Sequence, residues 1–575
     1  MADVTSTILL QTIIRGCIES GQVLYETCQA AKHAGPRYRE YRVRVEKCWA
    51  QIETQLSESE RLVPNMSERH QIAHQEIIEI VQSKLQSANM KLSRLVQYSR
   101  GESGYYSTKE KLIAMKQRAN FGANENDLNE AVLSLEKWQQ IFDPTWFLTI
   151  AIAGPAIDHR LMATTNHSQT STSSGNPAGP ITLAKQFLKA RRSDDGEPLE
   201  ELSRRGLRPG SVRKIPLSVV SIAERAGKKE TFILDPITTA SRPSAEMALR
   251  DTRDFARLLR HTDPQTSGLL KCKARLKIVN EGSSPDATIT ATTKDESLSL
   301  SFVFRVPSCF SDVQSLRWRL LHPPQVEYGS LSERFELANQ LVRAVSYVHA
   351  YGFVHKNIRP ESILLLGNDS HTADMSTADT GTETPRPPET AVLVGFEELR
   401  NAGGRTRHSG DEDWEKNLYR HPLRQTKHPQ AKYEMRHDIY SIGVCLLEIG
   451  LWESFVVYDE KNSKPRESDF LLEALTRYCS SVDFESKMDD DDDEKGETRA
   501  GGDPEVIKGF LIELARGMLR QKMGTRFSEV VETCLTCLDA DNEDFDDDGV
   551  ESSEGVAVGI QYIQKVVVRL GHITV

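Results

Sequence analysis

A chain of 575 residues exceeds what one hydrophobic core organises, so several domains are expected. Its 72 basic and 83 acidic residues give a net charge of −11, which excludes wholesale electrostatic binding of nucleic acid. With 38% hydrophobic and 27% charged residues it suits soluble globular domains joined by polar linkers, and no run reaches the ~20 apolar residues that span a bilayer.

The first residues lack a basic-then-apolar leader, and the nine cysteines form no paired framework, so a reducing, cytoplasmic setting is expected. Residues 4–33 carry Leu10, Ile14, Cys17, Gly21, Leu24, Cys28 and Ala31 in steps of four and three, the spacing of an amphipathic helix. Pro36 opens a second helix with Tyr38, Tyr41, Val45, Cys48, Ile52 and Leu56 on one face. After the break at Pro64-Asn65 a third follows, with Ile78, Val81, Leu85, Ala88, Leu92 and Leu95. Pieces at 108–119 and 126–142 complete the set, the latter with Leu128, Val132, Leu135, Trp138 and Ile141. Short connections between such helices predict an all-α bundle over residues 1–155.

The apolar first helix, Cys48-Trp49 and the closing Trp138…Phe142-Asp143-Pro144-Thr145-Trp146 resemble the HeLo and HeLo-like helical domains of fungal cell-death and incompatibility proteins. That resemblance implies self-association, or contact with a membrane surface through residues 4–33. A bundle that only docks partner proteins fits the same stripes. Residues 156–210 contain a Ser/Thr/Asn/Gly-rich stretch that cannot bury a core and are expected to be a flexible linker.

From 211 the period changes. Leu217 to Ala223, a turn at Gly227-Lys228-Lys229, and Thr231-Phe232-Ile233-Leu234 predict a β-hairpin. A helix at 245–260 and strands at 268–279 and 297–305 follow, with a hinge at 305–310. Farther on, His355-Lys356-Asn357-Ile358-Arg359-Pro360-Glu361-Ser362 resembles the catalytic loop of protein kinases, H-R-D-L-K-P-E-N. Gly395-Phe396-Glu397 falls where that family carries D-F-G, and Asp438-Ile439-Tyr440-Ser441-Ile442-Gly443 matches its D-x-W-S-x-G helix. The resemblance implies an α+β bilobal kinase-like fold, with a small lobe at 211–310 and a large lobe at 311–575. Disordered inserts are expected at about 367–389, 486–504 and 539–554, where Thr/Ser/Pro-rich or acidic runs break the pattern.

The frame is kept while its chemistry is altered. Asn357 stands at the base position, Ser362 and Gly395 at the two metal-holding positions, and Asp235 where the family's lysine would be. An amide cannot accept a proton near neutral pH, and glycine offers Mg²⁺ no ligand. No G-x-G-x-x-G spans the first hairpin. His355, Arg359 and Phe396 keep the loop's outline. Asp438, Gly443 and Arg526 carry structural roles by the same resemblance, Arg526 having lost its usual glutamate partner to Leu423. Lys271 and Lys273 lie on a later strand and could replace the lysine only with another strand order. Cys534-Leu535-Thr536-Cys537 reads as core packing rather than a metal pair, and no metal site or cofactor is expected.

These features point to a catalytically inactive kinase-like signalling protein, a switch acting on an N-terminal helical effector in fungal-type incompatibility or regulated cell death. The layout is similar to that of mixed-lineage kinase domain-like protein, which implies a peripheral plasma-membrane location on activation. One alternative is a scaffold that binds partner proteins. Another is an atypical Ser/Thr kinase binding ATP and Mg²⁺, with Lys356, Arg359 and Glu397 substituting for the altered groups.

Overall fold

The computed structural model describes residues 4–31, 36–66, 68–96, 106–152, 201–202, 206–237, 242–278, 299–323, 330–367, 389–402, 412–425, 429, 431–458, 464–481, 502–545 and 554–573. The chain divides into two compact units, Met1–Ser193 and Asp194–Val575.

The first unit is a bundle of α1 (Val4–Ala30), α2 (Pro36–Leu62), α3 (Glu68–Val96) and α4 (Tyr106–Ile152). The sequence stripes are its core: Leu10, Ile14, Cys17, Leu24 and Cys28 of α1 have no exposed surface, and Ile78, Val81 and Leu85 of α3 have none either. Gly21 is where α1 meets α2: a Cβ there would lie 1.8 Å from the Trp49 ring, so the indole takes the volume that a side chain would need. The expected break between 108–119 and 126–142 is absent. Residues 106–152 form one helix of 47 residues that runs through Pro144. Its core is not wholly apolar, for Asp143 accepts from Gln55 (2.5 Å) and Gln139 (2.8 Å), and His70 and His74 are buried on α3.

The second unit opens with a six-stranded sheet. Its strands are β1 (Glu201–Leu202), β2 (Arg213–Lys214), β3 (Ser221–Glu224), β4 (Thr231–Ile237), β5 (Lys271–Ile278) and β6 (Ser299–Arg305), in the order β1-β5-β6-β4-β3-β2. Helix α5 (Arg242–Leu258) connects β4 to the β5 side. The expected linker therefore ends too late. Glu201–Leu202 pairs in parallel with β5, and Leu207 packs in a core cluster with Ala223, Phe232, Leu234, Ala274 and Val303. Backbone bonds of Gly206 and Arg208 with Ala226 and Glu224 hold the segment beside that cluster. Because β6 lies between β4 and β5, Lys271 and Lys273 are a strand removed from Asp235.

Beyond β6 the unit is mostly helical. β7 (Asp312–Ser315), β9 (Ile363–Gly367) and β10 (Thr390–Leu393) form a small sheet, and β8 (Phe353–Val354) pairs with β11 (Arg400–Asn401). Helix α6 (Leu331–Ala350) starts at a capping box of Ser330 and Glu333 and buries Leu341, Val342, Val345 and Val348. Helix α7 (Met435–Leu451) packs against Thr525–Leu535 through glycine: a Cβ on Gly443 would sit 2.8 Å from that of Cys534. Cys534 and Cys537 are buried there as free thiols.

Two expected inserts are partly ordered. Asp503 caps the helix Pro504–Leu514, and Asp544 accepts from Arg569 at 2.6 and 2.8 Å while Phe545 is buried. The acidic run at 539–545 is thus tied to a basic helix face 25 residues on. The remainder of those inserts, and 368–388, lies outside the described residues. Among the described residues no helix is long and apolar enough to cross a membrane.

Candidate functional site

The loop 355–363 is shaped from beneath by Asp438, near the start of α7. Its carboxylate accepts from the backbone N–H of His355 (2.8 Å) and Lys356 (2.9 Å), from the Tyr433 hydroxyl (2.7 Å), and meets His349 Nε2 at 3.2 Å. Burial would raise its pKa, but these donors overcome that and hold it below the usual carboxylate value. Lys356 is thereby kept at φ 70°, a left-handed conformation that a residue bearing a Cβ avoids without such constraint. The His355 ring receives the Asn357 N–H at Nδ1 (3.2 Å) and places Nε2 on the Val394 carbonyl (3.0 Å), which assigns the proton to Nε2. Burial depresses its pKa to about 4, so the ring is neutral.

Asn357, Ser362 and Gly395 come together, as their positions in the sequence imply. The Asn357 amide donates to Glu397 Oε1 (3.1 Å) and the Gly395 carbonyl (3.4 Å), and its oxygen accepts from Arg359 Nε (2.9 Å). Ser362 Oγ donates to the Arg359 carbonyl (2.9 Å) and accepts its N–H (3.1 Å), closing the turn on itself. Gly395 has φ 83°, and a Cβ there would meet Ser362 Cβ and Val219 Cγ2, each at 2.9 Å. Glycine is required both by the backbone and by the space. Phe396 turns inward onto Phe255 of α5 (4.9 Å between centroids) and His355 (4.7 Å), with Phe302 and Phe304 beyond.

Asp235 reaches the same turn from β4. Its Oδ2 accepts from the N–H of Gly395 (2.7 Å) and of Phe396 (3.2 Å), while Oδ1 is buried without a hydrogen-bond partner. Burial pushes its pKa up to about 7; the two amides oppose this and Glu397 adds to it. The aspartate, standing where the resemblance places a lysine, holds backbone. From the other side comes the turn between β2 and β3. Ser218 Oγ (2.9 Å) and Val219 N–H (3.3 Å) both donate to the Glu361 carbonyl, and the Pro216 carbonyl accepts from Ser315 Oγ (2.9 Å).

Below the loop lies a network that motif reading did not find. Arg317, with no exposed surface, donates to Glu361 Oε1 (2.9 Å), Glu448 Oε1 (2.6 Å), Ser454 Oγ (2.6 Å) and the Tyr419 hydroxyl (2.5 Å). Tyr458 donates to Glu361 as well (2.7 Å). Burial pushes Glu361 up, but Arg317 and Arg359 overcome it and bring it down to about 2. Only the Pro360-Glu361 step of the motif hinted at an engaged carboxylate there.

Arg526 departs from its expected structural role. It is exposed and makes no hydrogen bond or ion pair among the described residues, and Leu423, at the place of its missing partner, is 52% exposed. The buried Arg317–Glu448 pair ties the region together instead. Chemically, the loop offers a neutral imidazole, an amide, a hydroxyl and an engaged guanidinium. Among the described residues no group of three or more His, Cys, Asp or Glu could hold a metal ion.

No family model matches the chain. A stretch of 81 residues is 35% identical to a probable myosin light chain kinase of Dictyostelium discoideum, covering 14% of this chain and 19% of that protein. Another of 74 residues is 38% identical to the serine/threonine-protein kinase PKH2 of Saccharomyces cerevisiae, covering 11% of this chain and 7% of that protein. Part of this chain is kinase-like. It spans less than a fifth of the length of these relatives.

Proposed function

We propose that the second unit is a kinase-like signalling module that transfers no phosphate, and that it governs the helical first unit. The observation that carries the reading is Asp235: the carboxylate at the lysine's place is bonded to the amides of Gly395 and Phe396, where a metal-holding aspartate has neither backbone freedom nor room. The residues present do not fit Mg²⁺–ATP. A divalent cation bridging phosphates wants hard anionic oxygens, and Asn357, Ser362 and Gly395 supply none. Neither does the unaltered frame argue for catalysis, since His355 and Asp438 are both engaged in holding the loop.

The helical unit is the effector in this reading, in a fungal-type incompatibility or cell-death response. Its support is the resemblance of the bundle together with Ile8 and Leu9 on α1, which are 58% and 51% exposed. A scaffold that only docks partner proteins is the second reading, and an atypical ATP-binding kinase the third. Thermal denaturation of the full chain with ATP and Mg²⁺ or Mn²⁺ separates them. A ligand at 100 times its Kd stabilises by about 2.7 kcal/mol, and no shift is expected here. A saturable shift accompanied by phosphate transfer would establish the third reading. Expressed in cells, the Ile8→Asp/Leu9→Asp variant should lose toxicity if the effector reading holds, and match the wild type if the chain is a scaffold.

A further inference from the structure

We propose that the turn between β2 and β3, residues 215–220, is a built-in occupant of the place where a kinase-like fold would hold nucleotide phosphates. It ties the six-stranded sheet to the 355–363 loop in a ligand's stead. The inference deepens the kinase-like reading above and rests on it.

A phosphate-cradling turn needs backbone N–H groups free to point at the anion. Here those of Ser218, Val219 and Val220 are engaged. The N–H of Ser218 bonds the Ile215 carbonyl (3.2 Å), that of Val219 the Glu361 carbonyl (3.3 Å) and that of Val220 the hydroxyl of Ser218 (3.4 Å). Ile215 and Val220 are buried at 2% and 0% exposure, and Ser218 at 5%. The turn has no glycine, yet Leu217 sits at φ 49°. Such a conformation persists in a leucine only when the surroundings impose it. What imposes it is the pair of donors on the Glu361 carbonyl and the anchorage of Pro216 by Ser315, at opposite sides of Leu217.

The turn is interlocked with the rest of the site. The Val219 methyl fills the space beside Gly395, and Gly395 in turn gives its N–H to Asp235. Withdrawing Val219 would uncover the glycine and open a path for water to the unpartnered Asp235 Oδ1. Removal of the turn is therefore expected to loosen residues 393–397, which it reaches through Val219 beside Gly395 and through Glu361, whose neighbour Ser362 accepts from the Val394 N–H.

Hydrogen exchange by mass spectrometry on the full chain tests this. Val219→Asp should speed exchange at 218–220 and 393–397 by tenfold or more, and leave α3 and α7 as in the wild type. Should that variant unfold the whole second unit, Ser218→Ala decides. It removes two bonds, the one to the Glu361 carbonyl and the one from the Val220 N–H, and should speed exchange at the same two segments severalfold. Unaltered exchange at 393–397 in Ser218→Ala, or in a folded Val219→Asp, overturns the proposal. Adding ATP and Mg²⁺ to the wild type keeps the two readings apart. Binding with 218–220 still protected refutes the built-in occupant. Binding with that protection lost refutes the nucleotide-free reading of the previous section and supports a displaceable occupant.

Discussion

Asp235 shows how one side chain can hold a site at an energetic cost. Its carboxyl ordinarily titrates near 3.8 and is pushed up to about 7 by burial. Between those values the folded protein binds more protons than the unfolded chain, so this residue's contribution to stability falls as pH rises from about 4 to 7. Asp235→Asn keeps an oxygen for the two amides and removes the titration. Relative to the wild type, the variant should gain about 2–3 kcal/mol between pH 5 and pH 8, read from urea denaturation at each pH. Parallel curves would mean that Asp235 is hydrated in solution. The residue type at 235 was legible in the sequence, as were Asn357, Ser362 and Gly395. The role of Asp235 was not, because its partner lies 160 positions away and is a backbone amide that no motif marks.

At the scale of elements, helix α3 carries a second pH response of opposite sign. His70 and His74 are one turn apart and face the bundle core, where burial lowers their pKa values to about 4 and about 3. Both nitrogens of His74 lack a hydrogen-bond partner, its ring packs on Phe142 (5.6 Å), and burial, with His70 as the titratable neighbour, disfavours its charged form. The nearby acid of α4, Asp143, is engaged by Gln55 and Gln139. For bases depressed in this way the unfolded chain binds more protons below about pH 6.5, so the bundle weakens on acidification. Going from pH 7.5 to 5 should cost about 2 kcal/mol for each imidazole, and His74→Leu should remove roughly half of the loss, measured by exchange of α3 amides. An equal pH response in His74→Leu would exclude the residue.

The stripes of α1, α2 and α3 were readable because burial imposes the helical period on residue type. The unbroken run of α4 was not: polar residues around 120–127 and Pro144 look like interruptions, and tertiary packing overrides them. The order of Asp544 was hidden for a similar reason, since an acidic run looks solvated until Arg569 is seen beside it.

For the whole molecule, two compact units predict two separable unfolding events. Arg317→Met should shift one of them, lowering the stability of the second unit by about 3–5 kcal/mol, because Glu361 and Glu448 are left buried beside an uncharged chain. Calorimetry of the full chain should show that transition moved and the bundle's unchanged, whereas His74→Leu should do the reverse. One merged transition displaced by both variants would mean that the units unfold together. The sequence disclosed the order of these parts, helices first and then strand, helix and strand, through changes of period. It did not disclose what joins the second unit internally: Arg317 meets Glu448 across 131 positions, and Ser218 meets Glu361 across 143.

The crowding around Gly395 acts as a ratchet. A single change to aspartate at that position would drive a new side chain into Ser362 and Val219 on a backbone turned the wrong way for it. The neighbouring valine would have to shrink or withdraw first, a change with no benefit until the second one arrives. Descendants of this chain are therefore steered away from acquiring a cation ligand at that spot, and variation there is channelled into the turn and its contacts.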